Sequence, residues 1–509
     1  MGTAASEFRF LTGATGFIGH YLLGELLRRG DRCIVLLRQP LDGSLRRLRG
    51  LLESIGIDAA DCVDRERLIP VEGDLADGWP DVRCPAIATV VHVAASTRFH
   101  GDTDGEPYRT NVSGTRHLLE WAAARDVGDM HFVSSAYTCG RSETPVAERF
   151  SERPPVFHNP YEESKWQAER LCVEWSTGDR RRLTIHRPSV VVGEFDGGRA
   201  SKFSGFYVLA RATELLDRIF RGADAAARRS IPLRIRARPN DRQNIVPVDY
   251  AASMMARVIA EPRYCGRVYH LVHPDPPTNE LIKRALEEQF GIGGGRFVAP
   301  EAFATDDLNE HERRFYEVSR SIEHYFVETP TFLRANAAVV EAECGIRCPT
   351  YDSAAIRRLV AYAQKVEWGR RRDSRDGCGS PVAAYFEWFL PTHVGRSEVA
   401  RLTAVSATMR FIIDDEPNGQ WVCRFDRGQL RLVRRGSDGI QEDFGYRATR
   451  DVFWEAISGK VHPQELFLSG RAEVFGDVEQ ALKMAMILHE FTREWPCDAR
   501  TLARSGARP

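Results

Sequence analysis

The sequence predicts an α/β protein: a doubly wound parallel sheet with a helical substrate-side region, followed by a smaller α+β domain. Three patterns lead there. From residue 7 to about 270, short apolar runs (FRFLTG, RCIVLLR, ATVVHVAA, MHFVSSA) alternate with amphipathic helical stretches (GHYLLGELLRRG, LDGSLRRLRGLLESIG, YRTNVSGTRHLLEWAAA). Near-continuous apolar strands separated by helices belong to a parallel sheet buried on both faces. Residues 279 to 369 read as mostly helical, with ELIKRALEEQF and DSAAIRRLVAYAQKVEWG the clearest cases. At 370 the chain becomes RRRDSRDGCGSP, which has no hydrophobic period and reads as a linker over 370–382. Beyond it MRFIID, QWVCRFD and QLRLVRRG alternate as strands, with turn residues Asn418-Gly419 and Asp426-Arg427-Gly428 between them. Helical patterns around DVFWEAISG and VEQALKMAMILHEF close the unit. The expected domains are 1–369, with substrate-side parts at about 200–240 and 275–369, and 383–500.

Composition excludes several functional classes. The 509 residues are 43% hydrophobic and 28% charged, which rules out disorder over the whole chain. Lysine and arginine total 70 against 71 acidic residues, so no global field gathers nucleic acid or anionic membrane. The 11 cysteines are odd in number and thinly spread, which suits a reducing compartment. No run approaches the roughly 18 apolar residues of a spanning helix. A strand-like segment within the first ten residues leaves no room for a signal peptide, so a cytoplasmic, soluble protein without a transmembrane segment is expected.

The segment TGATGFIG, residues 12 to 19, lies between a strand ending near Leu11 and the helix HYLLGELL. That is the context of a dinucleotide fingerprint. Gly13 permits the tight turn, Gly16 lets backbone approach a pyrophosphate, and Gly19 allows close packing of helix on sheet. The helix N-terminus then offers free N–H groups to the phosphates. The second strand ends in Leu37-Arg38-Gln39, where an NAD-specific domain usually carries an acid for the ribose hydroxyl. A cation there favours a 2′-phosphate and hence NADPH, with Arg46 or Arg47 as second contacts. The plainer alternative leaves Arg38 as a solvated strand end.

Tyr161 and Lys165 stand four apart in YEESKWQAERL, on one face of a helix. A neighbouring ammonium stabilises phenolate, which lets a tyrosine exchange protons near neutrality. Ser134-Ser135 ends the strand MHFVSS at its carboxyl edge, where ligands of open α/β sheets bind. Asn111 opens the helix NVSGTRHLLEW, and Asp74 follows another strand in VEGDL. Singly, each of these is equally a cap or a turn former.

Together, in order and spacing over about residues 7 to 270, these residues resemble the extended short-chain dehydrogenase/reductase superfamily, whose fold is Rossmann-like. The resemblance implies a catalytic set of Ser135, Tyr161 and Lys165, completed by Asn111. It implies cofactor contacts from Thr12, Gly13, Thr15, Gly16, Phe17, Ile18 and Gly19 in the loop, and from Asp74 and Leu75 at the adenine. Arg38, Ala94, Tyr161, Lys165, Pro188 and Val190 complete that set, the strand end His186-Arg187-Pro188-Ser189 lying against the nicotinamide. The motifs VVHVAASTRF, NVSGT, YEESKWQAERL, IHRPSVVVGEF and QNIVPVDYAASMM are more closely similar to the fatty acyl-CoA reductase and thioester reductase branch, the male-sterility-like group. Ser134-Ser135 stands where that group often has Ser-Thr. PTFLRANAAVVEAECG and CPTYDSAAIRRLVAYAQKVEWG extend the likeness to about 369.

GKVHPQELFLSGRAEVFGDVEQALKM resembles the sterol carrier protein type 2 family, which encloses lipids between a small sheet and helices. Read from residues alone, the apolar stripe Leu482, Ala485, Met486 and Phe491 is equally plain core. The charged Arg431, Arg434 and Arg435 depart from the family pattern.

The leading expectation is NADPH-dependent reduction of an apolar acyl thioester, on coenzyme A or a carrier protein, to an aldehyde and onward to an alcohol. Two others remain open: a dehydrogenase of a lipid secondary alcohol, and a lipid-binding or transfer protein whose nucleotide domain is not catalytic. No metal site is expected. Cys344 and Cys348 lack partners for a four-ligand set.

Overall fold

The computed structural model describes residues 8–39, 41–76, 85–101, 105–142, 145–369, 380–403, 405–416, 419–436 and 442–499. Residues 370–379 of the expected linker and Asn418 of the expected turn lie outside them. Contacts divide the chain into two units, Met1–Gly369 and Arg370–Pro509.

The first unit is organised by seven parallel strands: β1 (Phe8–Thr12), β2 (Cys33–Leu37), β3 (Leu68–Glu72), β4 (Ile87–His92), β5 (Asp129–Val133), β6 (Arg182–Pro188) and, later in the chain, β10 (Val268–Leu271). Their order is β10-β6-β5-β4-β1-β2-β3. Strand alternation sends Leu11, Val35 and Val91 into one core layer and Phe10, Ile34 and Val90 into the other. Helices Phe17–Arg28 and Val248–Ala260 cover the first face; Gly114–Ala124 and Pro160–Ser176 cover the second. Sheet order reverses between β1 and β4, so the loops leaving these strands diverge and open a crevice at their carboxyl ends.

Four shorter strands lie outside that sheet. β7 (Val190–Val192) pairs with β9 (Ile245–Pro247), and β8 (Leu233–Arg236) with β11 (Gly295–Val298). Helices Phe206–Ile219, Asn279–Phe290, Glu310–Ser319 and Ser353–Lys365 pack around β8 and β11 over their own core, which includes Leu216, Leu286, Phe315 and Leu359. The helical expectation for 279–369 thus misses one strand, β11. Its sequence, GRFV, follows Gly293 and Gly294 and is too short to show a period of two.

The second unit is a five-stranded sheet of β12 (Ala407–Ile413), β13 (Gln420–Asp426), β14 (Gln429–Arg435), β15 (Phe444–Ala448) and β16 (Glu473–Gly476), in the order β14-β13-β12-β15-β16. β12 alternates strictly between buried and half-buried residues, the mark of a sheet with one covered face. Helix Val478–Glu494 contributes to that cover and borders two apolar cavities. One, of about 720 Å3 including open solvent, is lined by Phe411, Tyr446, Phe453, Leu466, Leu482 and Ala485; the other, of about 380 Å3, by Leu390, Val394, Met484, Ile487 and Phe491. The predicted stripe is corrected at one position: Met486 is 54% exposed and Met484 is the methionine facing inward. Arg431, Arg434 and Arg435 all face solvent.

Burial makes one ion pair critical to the first unit. Arg187 on β6 meets Glu169 through two hydrogen bonds of 2.8 and 2.5 Å, and both residues are buried. Losing one partner strands a charge in low dielectric, at a cost of about 3–5 kcal/mol. Arg187→Leu should therefore lower unfolding stability by that amount in chemical denaturation, whereas the double variant Arg187→Leu/Glu169→Leu should recover most of it.

Candidate active site

The glycine loop leaves no room for side chains. A Cβ on Gly13, whose φ is +75°, would come 2.5 Å from the Ala94 nitrogen; one on Gly19 would come 2.0 Å from the Gly13 carbonyl oxygen. Gly16 N–H closes the turn on the Gly13 oxygen at 2.9 Å. Thr15 lies in this turn, and Phe17 and Ile18 begin the helix, whose first turn carries neither a side-chain cap nor an acidic residue. Its amide donors are thus left for an anion beside a bare backbone cradle, an arrangement that fits a dinucleotide pyrophosphate. His20 Nδ1 donates to the Gly16 oxygen at 2.8 Å, and burial drops its pKa to about 4, leaving the ring neutral.

A buried hydrogen-bond chain ties this loop to the helix bearing Tyr161. Ala94 N–H donates to Thr12 Oγ1 at 3.3 Å, and Thr12 Oγ1 meets His92 Nδ1 at 2.7 Å. His92 Nε2 meets Thr115 Oγ1 at 2.9 Å, and Thr115 donates to the Asn111 carbonyl at 2.6 Å. Because the Thr115 proton is committed to that carbonyl, His92 carries its own proton on Nε2 and accepts from Thr12 on Nδ1. Burial pushes the His92 pKa down to about 3, with the Lys165 charge adding, so the ring stays neutral. Asn111 lies in a wide π-helical turn, Arg109–Ser113. Its side chain accepts from Ser96 N–H at 2.8 Å and donates to the Ser96 carbonyl and to Ser164 Oγ at 2.9 and 2.8 Å. Ser164 in turn donates to the Tyr161 carbonyl at 2.8 Å.

Ser135, just beyond β5, accepts the Tyr137 N–H at 3.2 Å and lies near enough to the Tyr161 phenol to favour its ionised form. Burial raises the Tyr161 pKa to about 12; the Ser135 hydroxyl opposes the shift and the Glu162 charge adds to it. Lys165 is 1% exposed. Its ammonium donates to the Val133 carbonyl at 2.8 Å and lies 4.2 Å from the Phe132 ring centre, and burial lowers its pKa to about 8. Helical spacing sets Lys165 beside Tyr161, but its long side chain turns to the carbonyl edge of β5, and its charge is not among the groups shifting the phenol.

At the other end of the crevice, Arg38 is exposed beyond β2, its carbonyl accepting from Ser44 at 2.7 Å. Asp74 accepts the Ala76 N–H at 3.0 Å, and the buried Leu75 receives His117 Nδ1 on its carbonyl at 2.9 Å. Pro188 ends β6 in the interior, and Val190 begins β7 half-buried.

Residues that sequence reasoning missed surround Tyr161. Glu162, fully buried, accepts from His158 N–H, His158 Nδ1 and the Tyr325 hydroxyl at 2.9, 2.9 and 2.8 Å. His158 Nε2 reaches Glu328 at 2.9 Å. The Phe99 ring lies 6.0 Å from Tyr161 and 5.9 Å from Tyr325. Only Asn159-x-x-Glu162, the spacing of a helix N-cap and its third residue, hinted at this cluster.

A parallel sheet of order 3-2-1-4-5-6, with a glycine cradle at its switch point and a Ser-Tyr-Lys set at the neighbouring strand end, defines an NAD(P)-binding oxidoreductase. Residues 11–255 match the model of the male sterility protein family, and residues 393–489 that of the SCP-2 sterol transfer family. The chain therefore carries, in order, a segment similar to the first family and a segment similar to the second. Curated relatives include aldehyde reductase lnaA of Aspergillus flavus, 28% identical over 70% of this chain and 36% of its own length. The nonribosomal peptide synthetase asaC of the same organism is 26% identical over 54% of this chain and 27% of its own length. The chain spans about a third or less of these proteins. Among solved structures, the terminal R domain of the myxalamid PKS-NRPS pathway (23% identity, TM-score 0.58) covers 72% of this chain and 92% of its own, and shares the fold. So does an archaeal thiolation-reductase di-domain (21%, 0.57; 72% and 76%).

His158 yields a pH prediction. Burial works against its charge, but the hydrogen bonds and charges of Glu162 and Glu328 outweigh it and leave the pKa above the ordinary 6.5. A raised folded-state pKa stabilises below the unfolded value and loses that contribution as pH rises through the folded one. The stability gap between wild type and His158→Gln should accordingly be largest at acidic pH and shrink as pH climbs past the raised value; a gap independent of pH in thermal unfolding would refute the clamp.

Proposed function

We propose that the chain is an NADPH-dependent reductase of apolar acyl thioesters, carried on coenzyme A or on a carrier protein, releasing an aldehyde. The observation that carries this reading is the placement of Ser135 beside the Tyr161 phenol at the end of β5, Tyr161 lying on a helix tied through Asn111 and His92 to the glycine cradle. The names of several relatives, aldehyde reductases and peptide synthetases, lend it support.

When bound, the cofactor supplies hydride to the thioester carbonyl carbon. The rest falls to the chain. Ser135 Oγ and the Tyr161 hydroxyl together form a donor pair for the carbonyl oxygen as it gains charge. A phenol held at about 12 stays protonated at neutral pH yet remains acidic enough to give its proton to an alkoxide. Lys165, fixed on the Val133 carbonyl, places a cation within the site to hold the cofactor ribose. The resulting hemithioacetal splits into thiol and aldehyde, so one acyl thioester, one NADPH and one proton give one aldehyde, one thiol and one NADP⁺. The apolar cavities of the second unit supply a place for a lipid chain, and tethering raises its local concentration.

The 2′-phosphate preference rests on Arg38, whose exposed position beyond β2 suits a charge-assisted contact worth about 1.5–3 kcal/mol. Arg38→Ala should raise the KM for NADPH by roughly ten- to a hundredfold, leaving that for NADH nearly unchanged. The activity itself is tested by following NADPH loss and free thiol together with a dodecanoyl thioester. Equal amounts should appear in the aldehyde-forming step, and Tyr161→Phe should slow both by roughly a hundred- to ten-thousand-fold. NADPH oxidation without thiol release, or oxidation of a lipid secondary alcohol in its place, would overturn the reading.

A further inference from the structure

The first unit holds a large apolar cavity that takes no part in the arrangement around Tyr161. It measures about 800 Å3 including open solvent and lies between helices Phe206–Ile219, Asn279–Phe290 and Glu310–Ser319 and the β8–β11 pair. Leu216, Leu233, Leu286, Phe297, Phe315 and Phe326 give it an apolar lining. Its charged neighbours have counter-charges, Arg236 with Glu323 at 3.0 Å and Lys283 with Glu287 at 3.0 Å, although the buried Nε of Arg236 has no hydrogen-bond partner. A ligand there gains from apolar surface and meets no uncompensated charge.

Two further observations indicate what that ligand is. Asn279, which borders the cavity, is 4% exposed, and its Oδ1 has no hydrogen-bond partner while its Nδ2 donates to the Arg238 carbonyl at 2.9 Å. A buried polar atom left unpaired costs roughly 1–3 kcal/mol, so Asn279 Oδ1 and Arg236 Nε leave a small polar spot in an otherwise apolar lining. Second, the short helix Glu323–Val327 stands between the cavity and the tyrosine site. Glu323 and Phe326 line the cavity, whereas His324 and Tyr325 lie 6.5 and 5.9 Å from Phe99, itself beside Tyr161.

We infer that this cavity binds the distal, uncharged end of the acyl chain whose thioester lies at Tyr161, and selects long chains over short ones. The inference rests on the acyl thioester reading and adds the part of the molecule that sets chain length. The Glu323–Val327 helix is then the partition past which the chain runs, with Phe99 and Tyr325 on its reactive side and Phe326 on its far side.

The direct test is photo-crosslinking of the full-length chain with a dodecanoyl thioester bearing a diazirine at its far end, followed by peptide mapping. Labels are expected within residues 206–219, 279–297 and 310–326. Labels confined to 411–492, or to surface residues of the first unit, would overturn the proposal. This readout needs no turnover, so it stays informative if thioester reduction itself fails. A kinetic arm uses Leu286→Trp and, as a gentler filling, Leu216→Phe, with dodecanoyl and butyryl thioesters. At roughly 0.8 kcal/mol per buried methylene, excluding several methylenes should lower kcat/KM for the long substrate by tenfold or more and leave the short one within about twofold. Equal losses on both substrates with either variant, or no loss on the long one, would also overturn it.

Discussion

Everything at the candidate site depends on how closely the ends of β1 and β4 approach one another. Gly13 and Ala94 stand so near that a single methyl group would collide with the backbone opposite. That approach is held by a polar chain inside the core, running from Ala94 through Thr12, His92 and Thr115 to Asn111, and from the Asn111 side chain through Ser164 to the Tyr161 carbonyl. Each donor in it has an acceptor, and the proton of the neutral His92 is placed by the bonds of its two threonine neighbours. Buried polar groups in low dielectric are worth much when fully paired and cost much when not. A satisfied chain of this kind fixes the catalytic helix relative to the nucleotide loop more tightly than apolar packing alone.

The groups of the candidate site are tuned by the same burial. It lifts Tyr161, lowers Lys165 and keeps His92 and His20 neutral, and Lys165 places a positive charge at this edge of β5. Around the tyrosine, His158 joins the buried Glu162 to Glu328 at the end of the short Glu323–Val327 helix. The segment at Glu328 is therefore connected to the helix Pro160–Ser176 by charge as well as by contact.

Much of the reductase fold was legible because its signals are local. A glycine loop between strand and helix, apolar runs about the length of a strand, and a Tyr and Lys one helical turn apart all lie within short windows of sequence. What escaped depends on contacts far apart in the chain. Glu162 looks like one more charged residue on a helix until Tyr325, 163 positions on, is found donating to it. Thr12 and His92 lie in the quoted motifs TGATGFIG and VVHVAASTRF, but their bond spans 80 residues and shows in neither window. β11 was hidden by its glycines, and the inward methionine of the last helix was misplaced by two positions because a helix flanked by two cavities has a wide apolar face. The turn of Lys165 toward Val133 follows from side-chain length, on which helical spacing is silent.

The proposed chemistry requires that cofactor and thioester meet over one carbonyl, with Tyr161 as the proton source. Single-turnover reduction of an acyl thioester with NADPH deuterated at C4 of the nicotinamide, read by mass spectrometry of the product, tests this most directly. One deuterium at the carbonyl carbon of the aldehyde, transferred from only one face of the labelled cofactor, is the expected result. Cofactor oxidation that leaves the aldehyde unlabelled, or label arriving equally from both faces, would contradict a fixed crevice between the glycine loop and Tyr161.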